Sequence, residues 1–198
     1  MLLGGAATRM GRDKAALQVG GVPAASRVAS LLDRLCDEVL LVGGSVPPGT
    51  VGRAVKDPEG PRCALRGLVG ALSAARGERV LVVATDLPLV TDALLAGLAA
   101  VPGPCAIVPR PGLPQPLCAV YPREQALALA RANLAEGRLA LRALLELLSV
   151  HFVEGEDLAV LDPDGHSLAN LNTPEDHERA EVWLRQRDAC SEAALPRE

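Results

Sequence analysis

The sequence predicts a Rossmann-like three-layer α/β/α fold built on a mostly parallel mixed sheet. Two observations carry this expectation. Short continuous apolar runs at 39–42, 80–84 and 105–108 read as strands buried on both faces. Between them, apolar residues recur at the i, i+3, i+4, i+7 spacing of helices. Strand–helix–strand alternation of this kind implies right-handed crossovers and a parallel sheet covered on both sides. Ligands on such sheets lie beyond the carboxyl ends of the strands, so the positions following Leu3, Val42, Ala84 and Val108 are where chemistry is expected.

Taken in order, Leu2 and Leu3 form a short apolar run that stops at Gly4-Gly5, a strand emptying into a loop. The chain enters this strand at once, which leaves the completeness of its amino terminus open. Val28, Leu31, Leu32 and Leu35 predict a helix before 39–42, and Leu65, Leu68, Val69 and Leu72 another before 80–84. Leu94, Leu95 and Leu98 mark a third, leading into 105–108. The second half is less regular: a strand at 117–121, a helical stretch at 124–134, a helical stripe through Leu141, Leu144, Leu145 and Leu148, a strand at 150–153 and a short strand at 158–161. Thr173-Pro174-Glu175-Asp176 is a helix start, with a hydroxyl N-cap, proline first and acids in the first turn. That helix is expected to bury Ala180, Trp183 and Leu184. With no repeat, low-complexity tract or linker, one domain spans 1–187 and a frayed tail 188–198.

Composition narrows the function. Aromatic residues make up only 2% of the 198, which argues against the stacking platforms of single-stranded nucleic-acid binders. A net charge of −4 argues against a phosphate-backbone binder, while leaving room for a local cationic pocket. The five cysteines, Cys36, Cys63, Cys105, Cys118 and Cys190, are scattered without a C-x-x-C pair, so reduced thiols in a cytoplasmic protein are expected. No apolar run of about 18 residues and no charged-then-apolar leader is present, so neither a membrane span nor export is expected. His151, His166 and His177 share no ligand spacing, and no serine sits in a G-x-S-x-G setting.

The candidate chemistry begins in MLLGGAATRMGRDK. Gly4 and Gly5 let backbone N–H groups approach an anion closely, and Arg9 and Lys14 add a rigid fork and a mobile point charge, a combination suited to a polyphosphate. Neither G-x-x-x-x-G-K-[ST] nor G-x-G-x-x-G can be written onto these residues, so this is neither an ordinary P-loop nor a dinucleotide fingerprint. Asp86, just past the run 80–84, suits a magnesium ion that takes one or two carboxylates and completes its shell with substrate phosphates. An Asp there also serves as an ordinary turn residue. Arg62 and Arg66 stand where a phosphate could meet them or where surface arginines are common.

The string LLGGAATRMGRDKAAL resembles the L-x-G-G-x-x-x-R-M-G-x-D-K-x-x-L signature of the molybdenum cofactor guanylyltransferases, the MobA-like branch of the nucleotidyltransferases. Four further blocks agree. VVATDLPLV resembles the family's strand followed by C-D-x-P, whose Asp holds the metal, and KDPEGPRCALRGLVGAL resembles an Asp preceding G-P-L-x-G, whose Asp contacts the nucleotide. Arg62-Cys63 interrupt that second block and leave its register open. QPLCAVYPRE and NLNTPEDHE resemble the segments on the acceptor side. Asn170 and Asn172 are expected to face opposite ways, one toward the acceptor phosphate or magnesium and the other bracing a loop; ordinary helix capping is an equal alternative. Gly43-Gly44 stand where some relatives carry an Asn that touches the nucleotide.

The resemblance implies transfer of GMP from GTP to molybdopterin, with release of pyrophosphate on magnesium. It assigns Leu3, Gly4, Gly5, Lys14, Asp57 and Asp86 to the nucleotide, Arg9, Lys14 and Asp86 to catalysis, and Asp86 to the metal. Other cofactor-biosynthesis proteins and molybdoenzyme apoproteins are the implied partners, with no nucleic acid or membrane. Two other readings stay open: a related nucleotidyltransferase using CTP or a sugar phosphate, and a non-catalytic adaptor that binds nucleotide or cofactor. The GG opening, rather than A-A-G, favours guanine by resemblance alone.

Overall fold

The computed structural model describes residues 1–3 and 14–193, the side chains of Lys14 and of 188–193 excepted. A single 3₁₀ turn at Lys14–Ala16 leads into a hairpin of β1 (Gln18–Val19) and β2 (Val22–Pro23). Then follow α1 (Ala24–Leu35), β3 (Leu40–Val42), β4 (Arg53–Val55), α2 (Ala64–Ala74), β5 (Arg79–Val83), α3 (Asp92–Ala100), β6 (Ala106–Pro109) and β7 (Cys118–Pro122). The chain closes with α4 (Arg123–Ala135), α5 (Leu141–Leu145), β8 (Val150–Val153), α6 (Gly155–Leu161) and α7 (Pro174–Ala193).

One residue joins the two halves of the sheet. β3 and β4 pair in parallel, and a second group runs in the order β5, β7, β6, β8. Leu2 bridges both in parallel, through Val42 on one side and Ala84 on the other. The spatial order is therefore β4, β3, the Leu2 ribbon, β5, β7, β6, β8. Only β7 runs against its neighbours, pairing antiparallel with β5 and β6, while β6 and β8 pair in parallel. The mostly parallel mixed sheet expected from the sequence is what the chain forms.

Side chains along each strand alternate between two cores, as a period of two requires. Leu3, Leu41, Val83, Ile107 and Val120 point to one face, where Val28 and Leu32 of α1 and Leu94, Leu95 and Leu98 of α3 cover them. Leu2, Leu40, Val42, Val82, Val108 and Tyr121 point to the other, under Leu65, Leu68 and Leu72 of α2 and Ala126 and Ala130 of α4. A third cluster joins the hairpin to α7 through Val19, Leu171, Ala180 and Leu184. Ala180 and Leu184 are buried as expected, and Trp183 packs at the rim of the same cluster.

Several expectations need correcting. Residues 158–161 are not a strand but the end of α6. Gly155, at a φ of 56°, turns the chain, Glu156 and Asp157 lie in the first helical turn, and Leu158 and Leu161 share an i, i+3 face while Val160 between them is exposed. The β1–β2 hairpin, and the pairing of the expected strand at 39–42 with β4, escaped the sequence reading. The first turns through Gly20-Gly21, both at positive φ, in a two-residue hairpin loop, and the second strand of the other pair is too short to show a period. The stripe through Leu148 forms a helix only as far as Leu145, although Leu148 is still buried. The last helix runs to Ala193, and 194–198, part of the tail expected at 188–198, lie outside the described residues.

Gly97 of α3 faces α6 so closely that a Cβ there would overlap the side chain of Leu161. Gly97→Ala should destabilise the protein by about 1–3 kcal/mol in urea unfolding, as overpacking does. Combined with Leu161→Ala, the loss should fall short of the sum of the single effects, which reports the contact directly.

Candidate functional site

The backbone fixes where the candidate residues gather. Leu3 N–H donates to the Val42 carbonyl at 2.9 Å, and Leu2 N–H to that of Val83 at 2.9 Å. Thr85 closes the other side: its N–H and its Oγ1 both donate to the Leu2 carbonyl, at 3.1 and 2.8 Å. The exits of three neighbouring parallel ribbons, at Leu3, Gly43-Gly44 and Thr85-Asp86, thus lie side by side at the carboxyl edge of the sheet. Gly4, Gly5 and Arg9 lie outside the described residues. Lys14 opens the 3₁₀ turn that follows them.

Asp57 joins the same edge. β4 ends at Val55, whose carbonyl accepts from the Gly43 N–H at 2.9 Å, so the chain leaves the sheet beside Gly43. At a φ of 69°, Gly43 exposes its Cα to the Asp57 carboxyl group, whose atoms lie only 2.8–2.9 Å from where a Cβ would stand. Gly44, at 56°, comes as close to Leu3. These glycines are needed both for backbone angle and for space. Arg66, from the first turn of α2, donates through Nη2 to Asp57 Oδ2 at 2.9 Å and through Nη1 to the Gly60 carbonyl at 2.8 Å. Among the described residues, then, Arg66 holds a carboxylate and a carbonyl where a phosphate contact was one expectation, while Arg62 is exposed.

Asp86, half-buried in the turn after β5, meets the segment before α7 through the backbone: Leu171 N–H donates to the Asp86 carbonyl at 2.8 Å. Leu171 is buried, and Asn170 and Asn172 on either side of it are both exposed. The expectation that the two asparagines face opposite ways is therefore corrected, because positions i and i+2 of an extended chain share a side. A cavity of about 340 Å³ lies against them, walled by Leu89, Arg179 and Trp183. A larger one, about 510 Å³, opens at the opposite edge of the sheet beside Leu35, Cys36 and Val80, away from every candidate residue.

The start of α7 secures this segment. Asp176 accepts from the N–H groups of Asn172 at 3.0 Å and Thr173 at 2.9 Å, and its own N–H donates to Thr173 Oγ1 at 3.1 Å, a capping box with aspartate in the third position. The Asn172 N–H foremost, with help from Arg179 and Thr173 and against burial, pulls the Asp176 carboxyl below its usual range. Sequence reading missed the roles of Thr85 and Asp176. A lone hydroxyl at the end of an apolar strand and an acid three residues into a helix were the signals available. Elsewhere, burial pushes the Cys118 thiol up to about 12, and the four described cysteines are free, in line with reduced thiols. His166 stacks on Trp183, and His177 Nε2 meets the Gln18 carbonyl at 2.6 Å, structural contacts in both cases.

Comparison with known proteins bears on this arrangement. Residues 1–153 match the family described as the MobA-like NTP transferase domain. The chain is 37% identical over 196 residues to a probable molybdenum cofactor guanylyltransferase of Chloroflexus aggregans, covering 93% of each. It is 34% identical over 194 residues to the molybdenum cofactor guanylyltransferase of Cereibacter sphaeroides, covering 94% of this chain and 96% of that one. Among solved structures, molybdopterin-guanine dinucleotide biosynthesis protein A from Archaeoglobus fulgidus superposes with a TM-score of 0.75 at 24% identity, over 93% of this chain and 97% of the other. The 2-C-methyl-D-erythritol 4-phosphate cytidylyltransferase of Thermus thermophilus gives 0.69 at 22%, over 87% and 94%. At such identities the structural likenesses speak for the fold.

Two outcomes follow from the geometry. Gly43→Ala should cost about 1–2 kcal/mol through its positive φ and displace the Asp57 carboxyl group, so the unfolding midpoint should fall in a thermal melt. Because the folded-state pKa of Asp176 is depressed, its stabilisation is full above the ordinary value of 3.8 and lost as pH falls below it. Asp176→Asn should therefore narrow the stability gap to the wild type as an acid titration passes below that pH, read by circular dichroism melts.

Proposed function

Because the chain belongs to the MobA-like NTP transferase family, we propose that it transfers GMP from GTP to molybdopterin, forming molybdopterin guanine dinucleotide and pyrophosphate. The observation that carries this reading is the convergence of Leu3, Asp57 and Asp86 at one edge of the sheet, with the segment bearing Asn170 and Asn172 hydrogen-bonded to Asp86. Nucleotide-side and acceptor-side motifs that lie far apart in the sequence are thereby neighbours.

In the proposed reaction an oxygen of the molybdopterin phosphate attacks the α-phosphorus of GTP. The new O–P bond forms as the bond from that phosphorus to the β-bridging oxygen breaks, and the electron pair leaves with pyrophosphate. Such chemistry depends mainly on positioning the reactants and neutralising phosphate charge. Gly4 and Gly5 through their N–H groups, with Arg9 and Lys14, hold the triphosphate. Leu3 and Asp57 hold the nucleoside end, and Asn170 and Asn172 face the acceptor.

Asp86 fits magnesium by donor type. A single carboxylate at a strand exit suits an ion that fills its shell with substrate oxygens, and among the described residues no three His, Cys, Asp or Glu side chains form a cage that would suit another metal better. Magnesium bound there would supply charge neutralisation on the phosphates. No helix among the described residues is long and apolar enough to cross a membrane, and a cytoplasmic setting, with molybdoenzyme apoproteins and other cofactor-biosynthesis proteins as partners, belongs to the same proposal.

Purified protein supplied with molybdopterin, magnesium and one nucleotide at a time should release pyrophosphate with GTP and far less with CTP or UTP, the dinucleotide product being identified by mass. Equal release with CTP would overturn the guanine assignment, and tight GTP binding without transfer would favour the adaptor. Asp86→Ala should lower transfer at least about 100-fold at an unchanged unfolding midpoint, the scale expected when a charge-stabilising group is removed.

A further inference from the structure

Resting on the nucleotide role proposed for Asp57, we propose that Arg66 is a positioning residue that sets the Asp57 carboxylate in the one orientation the nucleotide meets. Arg66 grips that carboxylate, and two glycines face it. Gly43 presses on it from the sheet, leaving no room for a side chain at that position. Arg66 Nη2 grips Oδ2 at 2.9 Å from the first turn of α2. Gly67, the next residue of that helix, has its Cα face 3.9 Å from Oδ1, measured from an ideal Cβ.

The same guanidinium ties down the loop that carries Asp57. Nη1 reaches the Gly60 carbonyl at 2.8 Å, so one planar fork spans the acid and the turn three residues beyond it. Such a fork fixes direction as well as distance, which an ammonium cannot do. Burial separates this pair from ordinary surface ion pairs. The side chains of Arg66 and Asp57 are 16% and 28% exposed, whereas the Arg34–Asp92 pair elsewhere stands at 55% and 53%. Arg66 Nε is buried without a partner, a cost that a solvated arginine would avoid by swinging outward. The arginine stays because its two terminal nitrogens are held, one by the Asp57 carboxylate and the other by the Gly60 carbonyl.

The alternatives are a direct phosphate contact by Arg66, or a staple that serves stability alone. A double-mutant cycle separates them. Binding of a fluorescent GTP analogue and, in parallel, KM for GTP and kcat are measured for wild type, Arg66→Met, Asp57→Asn and the double variant. Arg66→Met should weaken GTP binding about tenfold with kcat changed less than about twofold, and its effect should shrink to below about twofold in the Asp57→Asn background, as for residues acting through one another. Arg66→Lys, which keeps the charge and loses the fork, should fall between and keep the wild-type unfolding midpoint; if Arg66→Met does not fold, the same cycle is run with Lys. Equal losses in both backgrounds would overturn the proposal, since Arg66 would then act independently of Asp57. Wild-type protein that binds the analogue but transfers no GMP refutes the reaction and leaves the cycle readable, whereas absence of nucleotide binding refutes both.

Discussion

Two residues hold together the sheet edge at which the candidate residues gather. Leu2 and Leu3 sit between β3 and β5, and their backbone groups exchange hydrogen bonds with Val42, Val83 and Thr85 at 2.9 to 3.1 Å. Without that ribbon the β3–β4 pair and the four-stranded group would be separate sheets. Their side chains add to the pairing from opposite faces, Leu2 in the core under α2 and Leu3 in the core under α1 and α3. Since a buried backbone group left unpaired costs about as much as a lost hydrogen bond, the register at this point is strongly determined. Among the described candidates, Asp57 and Asp86 are placed relative to it.

That register explains the small and polar residues beside it. Thr85 is 5% exposed at the end of an otherwise apolar strand, and its hydroxyl is tolerated because the Leu2 carbonyl accepts from it. Gly44 is required where the chain leaves β3, because a side chain there would strike Leu3. Gly43 is required for a different reason, the carboxyl group of Asp57. A row of glycine, glycine and threonine, unremarkable as sequence, is the imprint of three chain segments crowding together at a strand exit.

The fold was legible wherever burial imposed a period. The runs at 39–42, 80–84 and 105–108 became strands to within a residue, since a strand covered on both faces must be apolar throughout. Shorter elements escaped. β4 has three residues, two of them exposed, and α6 puts only Leu158 in the core, so neither carries a periodic signal. Of the site, the strand-end rule pointed to Asp86 and the family resemblance to Asp57. What the sequence could not reveal was pairing across space: Arg66 with Asp57, nine residues apart, and Leu171 with the Asp86 carbonyl, 85 apart by number. Both depend on how α2 and the segment before α7 pack, which no local pattern encodes. The error over Asn170 and Asn172 was of another kind, since the alternation of an extended chain already puts i and i+2 together.

The chain flanking the glycine-rich stretch is anchored twice, and the second anchor leads to the segment bearing Asn170 and Asn172. After the turn at Lys14–Ala16, the β1–β2 hairpin docks on α7, with the Gly20 N–H donating to Glu181 at 2.8 Å and His177 meeting the Gln18 carbonyl. The first turn of that same helix carries Asp176, which fixes Asn172 and Thr173. The helix thus bears the hairpin on its flank and the asparagine segment at its start, and that segment returns to Asp86 through Leu171. A site assembled from strand exits alone would bring Leu3, Asp57 and Asp86 together and leave the segment bearing Asn170 and Asn172 unattached. Because α7 is buried against the hairpin through Val19, Ala180 and Leu184, apolar packing outside the sheet holds the segment bearing Asn170 and Asn172 in register with the strand exits.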